Sequence, residues 1–233
     1  MKKIAILMSL FIVFTVFGTG CNLFDKGDLP ESQTTPTTGT EAETEKAIAS
    51  IGKYKITEKV LWEYMLTYSL QNDVSSVSCE DGARMYGENQ IMRDEIAGTS
   101  YDISESREHE IFANEEERFV RNHESILKFC QQTGLRFDDY KSLSLQLMLD
   151  AEFAFKHFTK VIDEYIQKEK EKDENYIVAV DEGMTFYKKY MEDKLNVLEY
   201  KSLDDEKTQA LEEDVPLLHK KALEFNSEPS GTT

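Results

Sequence analysis

The apolar residues between positions 147 and 165 constrain the fold more than any other feature of this sequence. They recur at steps of four, three and one, which is the spacing of one face of an α-helix. They are Leu147, Ala151, Ala154, Phe155, Phe158, Val161, Ile162 and Tyr165. We therefore predict a long helix, capped by Asp138, in which this seam is buried against other helices and Phe155 belongs to the core.

Shorter helical patterns precede the seam. Thr57 is suited to cap a helix that ends near Asn72, because its hydroxyl can accept a backbone hydrogen bond from the first turn. Apolar residues recur again from Phe112 to Cys130, and Gly134 marks the end of that helix.

The remaining patterns are weaker. Three glycines interrupt residues 73–104, so we predict an irregular segment there. Further helices are expected from about Glu182 to Leu198 and from about Asp204 to Phe225, the second with a kink or break at Pro216.

Strand signals are few. Residues 47–56 alternate small or apolar side chains and run into a glycine turn, which predicts a short strand and bend. Residues 176–180 are β-prone and fit either a strand or the entry to a helix. The fold class that follows is mainly helical, all-α with one or two short strands, in a single multi-helix domain at 47–225.

The first twenty residues have the order of a secretory signal peptide. Lys2 and Lys3 precede an apolar run from Ile4 to Phe17, which is followed by small residues up to Gly20. The run is shorter than the roughly 20 residues that a membrane-spanning helix needs. We predict that residues 1–20 are removed during export.

A cysteine follows the small residues directly. The stretch from Gly18 to Cys21 resembles the lipobox of bacterial lipoproteins, in which the thiol takes a diacylglyceryl group before the signal peptidase cuts. The resemblance implies that Cys21 is the lipidation site and that the protein is held at the extracytoplasmic face of the cell membrane. The alternative is a plain secreted protein with a chance cysteine at this position.

The segments flanking the domain are polar. Residues 21–46 are rich in threonine and lack an apolar period, so we expect a disordered tether, and residues 226–233 a disordered tail. Loss of residues 1–20 would remove two lysines and no acid, leaving 25 basic and 45 acidic residues and a formal charge of −20. This charge argues against nucleic acid as a partner, and it leaves membrane attachment to the lipid anchor.

Cys79 and Cys130 are the two other cysteines. Outside the cytoplasm they are a candidate disulfide, which would stabilise by roughly 4 kcal/mol in the chain-entropy model. Cys130 also lies on an apolar helix face, where a free cysteine packs as a small hydrophobe. Both alternatives stay open on the sequence.

Residues that could carry catalysis or bind a metal do not form a recognisable set. The four histidines lack second ligands at helical spacing, so we predict that each is exposed or caps a helix, and we expect no metal site. Nucleophile motifs and phosphate-binding glycine loops are missing as well. The sequence therefore supports neither an enzyme nor a cofactor, and an enzyme with an unrecognised site is the weakest hypothesis.

Aromatic residues of the first helix are the candidates for a binding surface. Trp62 lies off the apolar stripe of that helix, near Tyr64 and Tyr68. One interpretation is a partly buried aromatic at an interface between elements. The other is the lip of an apolar groove, in which Trp62, Tyr64 and Tyr68 would bind segments of client proteins.

The start of the domain resembles that of the SurA/PrsA-type extracytoplasmic chaperones. In Ala49–Thr57 a small-apolar strand reaches a glycine turn, continues as a lysine-bearing stretch to Ile56-Thr57 and enters an amphipathic helix. The stretch from Thr133 to Tyr140 is similar to a second family feature, a glycine and hydrophobe step between helices. The resemblance implies a SurA N-terminal-like chaperone domain, without the parvulin-type prolyl isomerase domain of many relatives.

Two functions follow as expectations. The first is a lipoprotein that binds unfolded or partly folded exported proteins, chaperone-like and without isomerase activity. The second is an envelope or spore assembly lipoprotein that binds one dedicated protein partner. Binding of many denatured proteins rather than one would distinguish the first from the second.

Overall fold

The computed structural model describes residues 45–227, which form seven helices and three short strands. In chain order these are β1 (Ala47–Ile51), β2 (Tyr54–Thr57), α1 (Glu58–Asn72), α2 (Cys79–Ile96), α3 (Glu105–Arg121), α4 (His123–Thr133), α5 (Phe137–Lys170), α6 (Val180–Leu195), β3 (Tyr200–Ser202) and α7 (Asp205–Ser227). All of them belong to one compact unit, which begins at Ala47. The prediction of a mainly helical fold with a few short strands is confirmed.

Three of the predicted segments lie wholly or mostly outside the described residues. They are the signal peptide at 1–20, the tether at 21–46 except for its last two residues, and the tail at 226–233 except for its first two. Helix α7 continues to Ser227, two residues past the predicted end of the domain.

A small antiparallel sheet joins the beginning of the domain to its end. The strand order is β2-β1-β3, so β1 is the central strand. Strands β1 and β2 form a hairpin in which Gly52 has a φ of +54°, a conformation that favours glycine. The predicted strand and bend are thus confirmed, whereas β3 was not predicted because three residues are too short to show alternation.

Helix α1 follows the hairpin without a break. The Thr57 hydroxyl accepts from the backbone N–H of Val60, as predicted, and the helix ends at Asn72. Helices α2 and α7 pack against it. The main hydrophobic core lies between these helices and the sheet, and it includes Ile48, Ile51, Ile56, Leu61, Met65, Val77, Ala83 and Val215.

The prediction of an irregular segment at 73–104 is wrong, because α2 occupies most of it. Ser78 and Asp81 form a reciprocal capping box at its first turn. Two of the glycines taken as interruptions are close-packing positions. A Cβ on Gly82 would lie 2.5 Å from Met65 Cγ, and one on Gly87 would lie 3.1 Å from Ile51 Cγ2.

The periodicity from Phe112 to Cys130 corresponds to two helices rather than one. Helices α3 and α4 meet at Asn122, whose backbone leaves the helical conformation. Gly134 ends α4 at a φ of +79°, which confirms the predicted stop.

Helix α5 is the longest helix of the described region, and its rotation differs from the prediction. It begins at Phe137, one residue before the predicted Asp138 cap. Phe155 is 61% exposed, so its placement in the core was wrong, whereas Phe153 is buried. The buried face also carries Asp150 and His157, which the apolar pattern could not assign to the interior.

The C-terminal third of the domain follows the predicted order with two differences. Residues 176–179 form no strand and lead into α6, the second of the two alternatives. Helix α7 continues through Pro216 without a break. It packs against α1 and α4, while α6 packs against α2 and α5.

Candidate functional site

The three aromatic residues proposed as a binding surface do not form one. Tyr64 is only 4% exposed, and its hydroxyl donates a 2.7 Å hydrogen bond to Asp150 Oδ2, so the prediction for this residue is wrong. Trp62 and Tyr68 are half-buried against the main core. They lie about 120° apart around α1, because a helix advances by one turn every 3.6 residues. The structure agrees with the interpretation of Trp62 as a partly buried aromatic between elements.

Tyr64 belongs to a buried polar cluster that links α1, α2 and α5. The carboxylate of Asp150 accepts hydrogen bonds from Tyr64, from Arg93 at 2.8 Å and from Gln146 at 2.7 Å. Burial raises the pKa of Asp150, and the hydrogen bonds from Tyr64 and Arg93 oppose that shift. The guanidinium of Arg93 also lies 4.4 Å from the ring centroid of Phe153. Arg93 Nε is buried without a hydrogen-bond partner among the described residues, and the other hydrogen bonds of the cluster connect the three helices.

A second polar cluster joins α2, α5 and α6 around Glu95. Its carboxylate accepts hydrogen bonds from His157 Nε2 at 2.9 Å, Tyr190 at 2.6 Å and Lys194 at 2.7 Å. Partial burial raises the pKa of Glu95, but these hydrogen bonds outweigh burial and lower the pKa to about 2. The other ring nitrogen of His157 lies 3.0 Å from the hydroxyl of Tyr187. A neutral His157 with its proton on Nε2 satisfies both contacts.

The predicted exposure of the histidines is correct for two of them and wrong for two. His109 and His123 are exposed, whereas His157 and His219 are buried. Neither ring nitrogen of His219 has a hydrogen-bond partner among the described residues. No group of three or more metal-binding side chains occurs within residues 45–227.

The two described cysteines are free and buried, so the candidate disulfide is not present. Cys79 lies in the main core, where its thiol contacts the backbone oxygen of Thr208 at 3.2 Å. Burial raises the pKa of the Cys79 thiol to about 12, which keeps it unreactive. Cys130 packs with Phe119 and Ile126 in a separate cluster, as expected for a small hydrophobe.

A small apolar groove lies between the last three turns of α5 and the first three turns of α6. Its volume is about 280 Å³. It is lined by Val161, Tyr165, Phe186 and Tyr190, with Glu164, Lys168 and Glu169 at its edge. We refer to this surface as the aromatic groove.

The rings that line the aromatic groove keep part of their surface exposed. Glu95, in the last turn of α2, contacts His157 and Tyr190. Farther along the α5–α6 pair, the rings of Tyr165 and Phe186 stack on each other with centroids 4.1 Å apart and are only half-buried. Apolar area of these two rings is therefore accessible.

The segment that leads into α6 fixes one wall of the groove and adds exposed apolar residues beside it. The hydroxyls of Tyr165 and Tyr176 donate to Glu182 Oε1 at 2.8 Å and 2.6 Å, and these hydrogen bonds lower the pKa of Glu182. In the same segment Ile177 is 87% exposed and Val180 is 81% exposed. Exposed aliphatic residues next to an aromatic groove are typical of an interaction surface.

The surroundings of the groove are acidic. An open notch of about 500 Å³ shares Glu164 and Lys168 with the groove and is otherwise lined by Tyr101, Asp163, Gln167 and Glu171. Residues 163–182, which carry one side of the groove, contain eight acidic and three basic residues. An apolar surface thus lies within a strongly negative one.

The sequence contained part of the signal for this site. Tyr165 belongs to the predicted seam of α5, and Phe186 and Tyr190 lie four residues apart in the helix predicted from about Glu182 to Leu198. Periodicity predicts which residues face a neighbouring helix, but not how much of each side chain that helix covers. None of the described helices is both long and apolar enough to cross a membrane.

Comparison with known proteins gave no match: no family model fits this chain, and no curated protein or solved structure is significantly similar to it. Any functional assignment therefore depends on the chemistry of the groove and on the sequence itself.

Proposed function

We propose that this protein is a lipid-anchored, extracytoplasmic binding protein that holds unfolded or partly folded exported polypeptides, in the manner of a chaperone and without prolyl isomerase activity. The acyl chains on Cys21 attach it to the outer face of the membrane. The aromatic groove binds apolar side chains of the client.

The observation that carries the proposal is the open aromatic groove between α5 and α6. Its volume of about 280 Å³ lies just below the roughly 300–1,000 Å³ of drug-sized ligand pockets, which suits a few side chains of a polypeptide. Its walls are aromatic rings, which supply a large contact area at a low cost in conformational entropy. The carboxylates of Asp150 and Glu95 are paired within the protein, so neither is left free to pair with a client.

The start of the domain supports the same function through its family resemblance. The residues that carry this resemblance, Ala49–Thr57, fold as a strand, a glycine turn, a second strand and the N-cap of α1.

Suppression of aggregation tests the proposal. Residues 22–233, which contain the whole compact unit Ala47–Thr233, are mixed with several chemically denatured exported proteins, and light scattering is followed. We expect slower aggregation of most of them and no acceleration of proline isomerisation over the slow uncatalysed rate. Phe186→Ala should reduce the protection, because it removes one wall of the groove.

Phe155→Ala is the matched control, since Phe155 is the same residue type, exposed on α5 and not part of the groove. Equal loss of protection in both variants would contradict the assignment of the groove. Protection of a single protein only would favour the alternative function, an assembly lipoprotein with one dedicated partner.

A further inference from the structure

The charge around the aromatic groove restricts what can occupy it. The groove shares Glu164 and Lys168 with the acidic notch, whose other charged residues are Asp163 and Glu171. Within the notch the acids outnumber the single lysine. A ligand that fills the groove and extends along α5 therefore passes directly over carboxylates.

The excess of negative charge extends beyond the notch. The eight acids and three bases of residues 163–182 give that segment a net charge of −5. Lys160, which lies outside this segment, pairs with Glu164 at 2.8 Å and offsets one of these charges, whereas the pair of Lys172 with Glu169 at 2.7 Å is already included in the count. Glu171 is exposed beside the notch and lies near the end of α5, where the helix dipole is also negative.

We infer that the preferred ligand of the aromatic groove is an extended polypeptide segment in which apolar residues are flanked by lysine or arginine. This inference rests on the proposed function and names the class of client. The apolar side chains enter between Tyr165 and Tyr190, and a basic residue a few positions away meets Asp163 and Glu171 in the notch.

The same charges argue against other occupants. A second copy of this chain would bring its own excess of acids, with a formal charge near −20 after loss of residues 1–20, and an anionic lipid surface would also be repelled. Apolar segments flanked by acids would place carboxylates against Glu164 and Glu171. Apolar segments flanked by lysine or arginine are the ones whose charges interact favourably with the acidic residues around the groove.

Fluorescence anisotropy with paired peptides tests the inference. The two labelled peptides have an identical core of leucine and phenylalanine, and they differ only in carrying lysines or glutamates at both ends. Residues 22–233 should bind the lysine-flanked peptide roughly tenfold more tightly at low salt, because several surface charge pairs add up. The difference should shrink as the ionic strength rises.

Two pairs of variants locate the binding. Phe186→Ala should weaken binding of both peptides several-fold, whereas Phe155→Ala should leave it unchanged. Glu171→Lys should weaken only the lysine-flanked peptide, by roughly two- to fivefold, which is the size of a surface charge effect. Glu213→Lys, at an exposed position of α7, is its control. Because Glu171 is exposed, this pair remains informative even if Phe186→Ala affects folding.

The outcomes distinguish the preference for basic flanks from the proposed function. Equal binding of both peptides, still dependent on Phe186, would overturn the preference for basic flanks and leave the proposed function standing. Equal effects of Glu171→Lys and Glu213→Lys would show a general charge effect and would also overturn the inference. Binding of neither peptide, together with no protection against aggregation, would overturn the proposed function itself.

Discussion

The ring of His157 on α5 is completely buried and lies 2.9 Å, through Nε2, from a carboxylate oxygen of Glu95 on α2. The same carboxylate accepts from Tyr190 and Lys194 of α6, so three helices meet at one charge. These contacts lie next to the aromatic groove, since Tyr190 belongs to both. The position of α6, and with it the shape of the groove, thus depends on this cluster.

The first prediction concerns the effect of pH on stability. Burial lowers the pKa of His157 below its usual 6.5, although the hydrogen bond to Glu95 opposes the shift. The folded state therefore binds a proton on His157 less readily than the unfolded chain does. The neutral His157 ring therefore contributes to the free energy of unfolding. This contribution is complete above the pKa that the histidine has in the unfolded chain, and it is lost as the pH falls through the lower pKa that it has in the folded protein.

Urea unfolding at pH 7.5 and pH 5 measures this effect. The wild type should lose more free energy of unfolding between the two pH values than His157→Gln does, because only the wild type must protonate a buried imidazole. Glutamine is chosen because its amide can donate to Glu95 in place of Nε2, so that the carboxylates titrate similarly in both proteins and cancel in the comparison. An equal loss in the two proteins would show that the His157 pKa is not lowered.

The second prediction tests the rotation of α5 with two phenylalanines on the same helix. Phe153→Ala should cost about 3–5 kcal/mol of unfolding free energy, because it leaves a cavity between α5 and α2. Phe155→Ala should cost less than about 1 kcal/mol, because that ring is exposed. Chemical denaturation of both variants measures the two costs, and the reverse order would mean that α5 is rotated as the sequence pattern alone predicts.

Local signals in the sequence were sufficient for several helix ends. Thr57 caps α1 and Gly134 ends α4 because each depends on one residue and its own backbone. The sequence did not contain enough information to predict which residues pack closely against other elements. Gly82 and Gly87 resemble helix breakers in the sequence, and only the closeness of Met65 and Ile51 explains their place inside α2.

The interior of α5 shows the same limit. Its residues are apolar on more than one face between positions 147 and 162, so the periodicity could not fix which face is buried. Asp150 and His157 lie inside because Arg93 and Glu95 of α2 partner them across long sequence separations. The aromatic groove forms where residues of α5 and α6 lie side by side, which is a tertiary relationship and not a local pattern.

The third prediction concerns the membrane anchor, whose residue lies outside the described part of the chain. Cys21→Ser should leave the precursor uncleaved or release the protein, because serine cannot form the diacylglyceryl thioether. Fractionation of cells, with immunoblotting of the membrane and soluble fractions, measures the result, and Cys79→Ser controls for the loss of a thiol elsewhere. A mutant that stays membrane-bound after losing its signal peptide would exclude Cys21 as the anchor.

The most direct test of the central claim, that the aromatic groove holds apolar segments of unfolded polypeptides, is photo-crosslinking from within the groove. A benzophenone-bearing phenylalanine analogue is introduced in place of Phe186 and, in a separate protein, in place of Phe155. Each protein is then irradiated with a purified exported protein, once denatured and once folded. We predict a crosslinked product from position 186 with the denatured form, little with the folded form, and little from position 155 with either. Equal crosslinking from the two positions, or none from position 186, would contradict the claim.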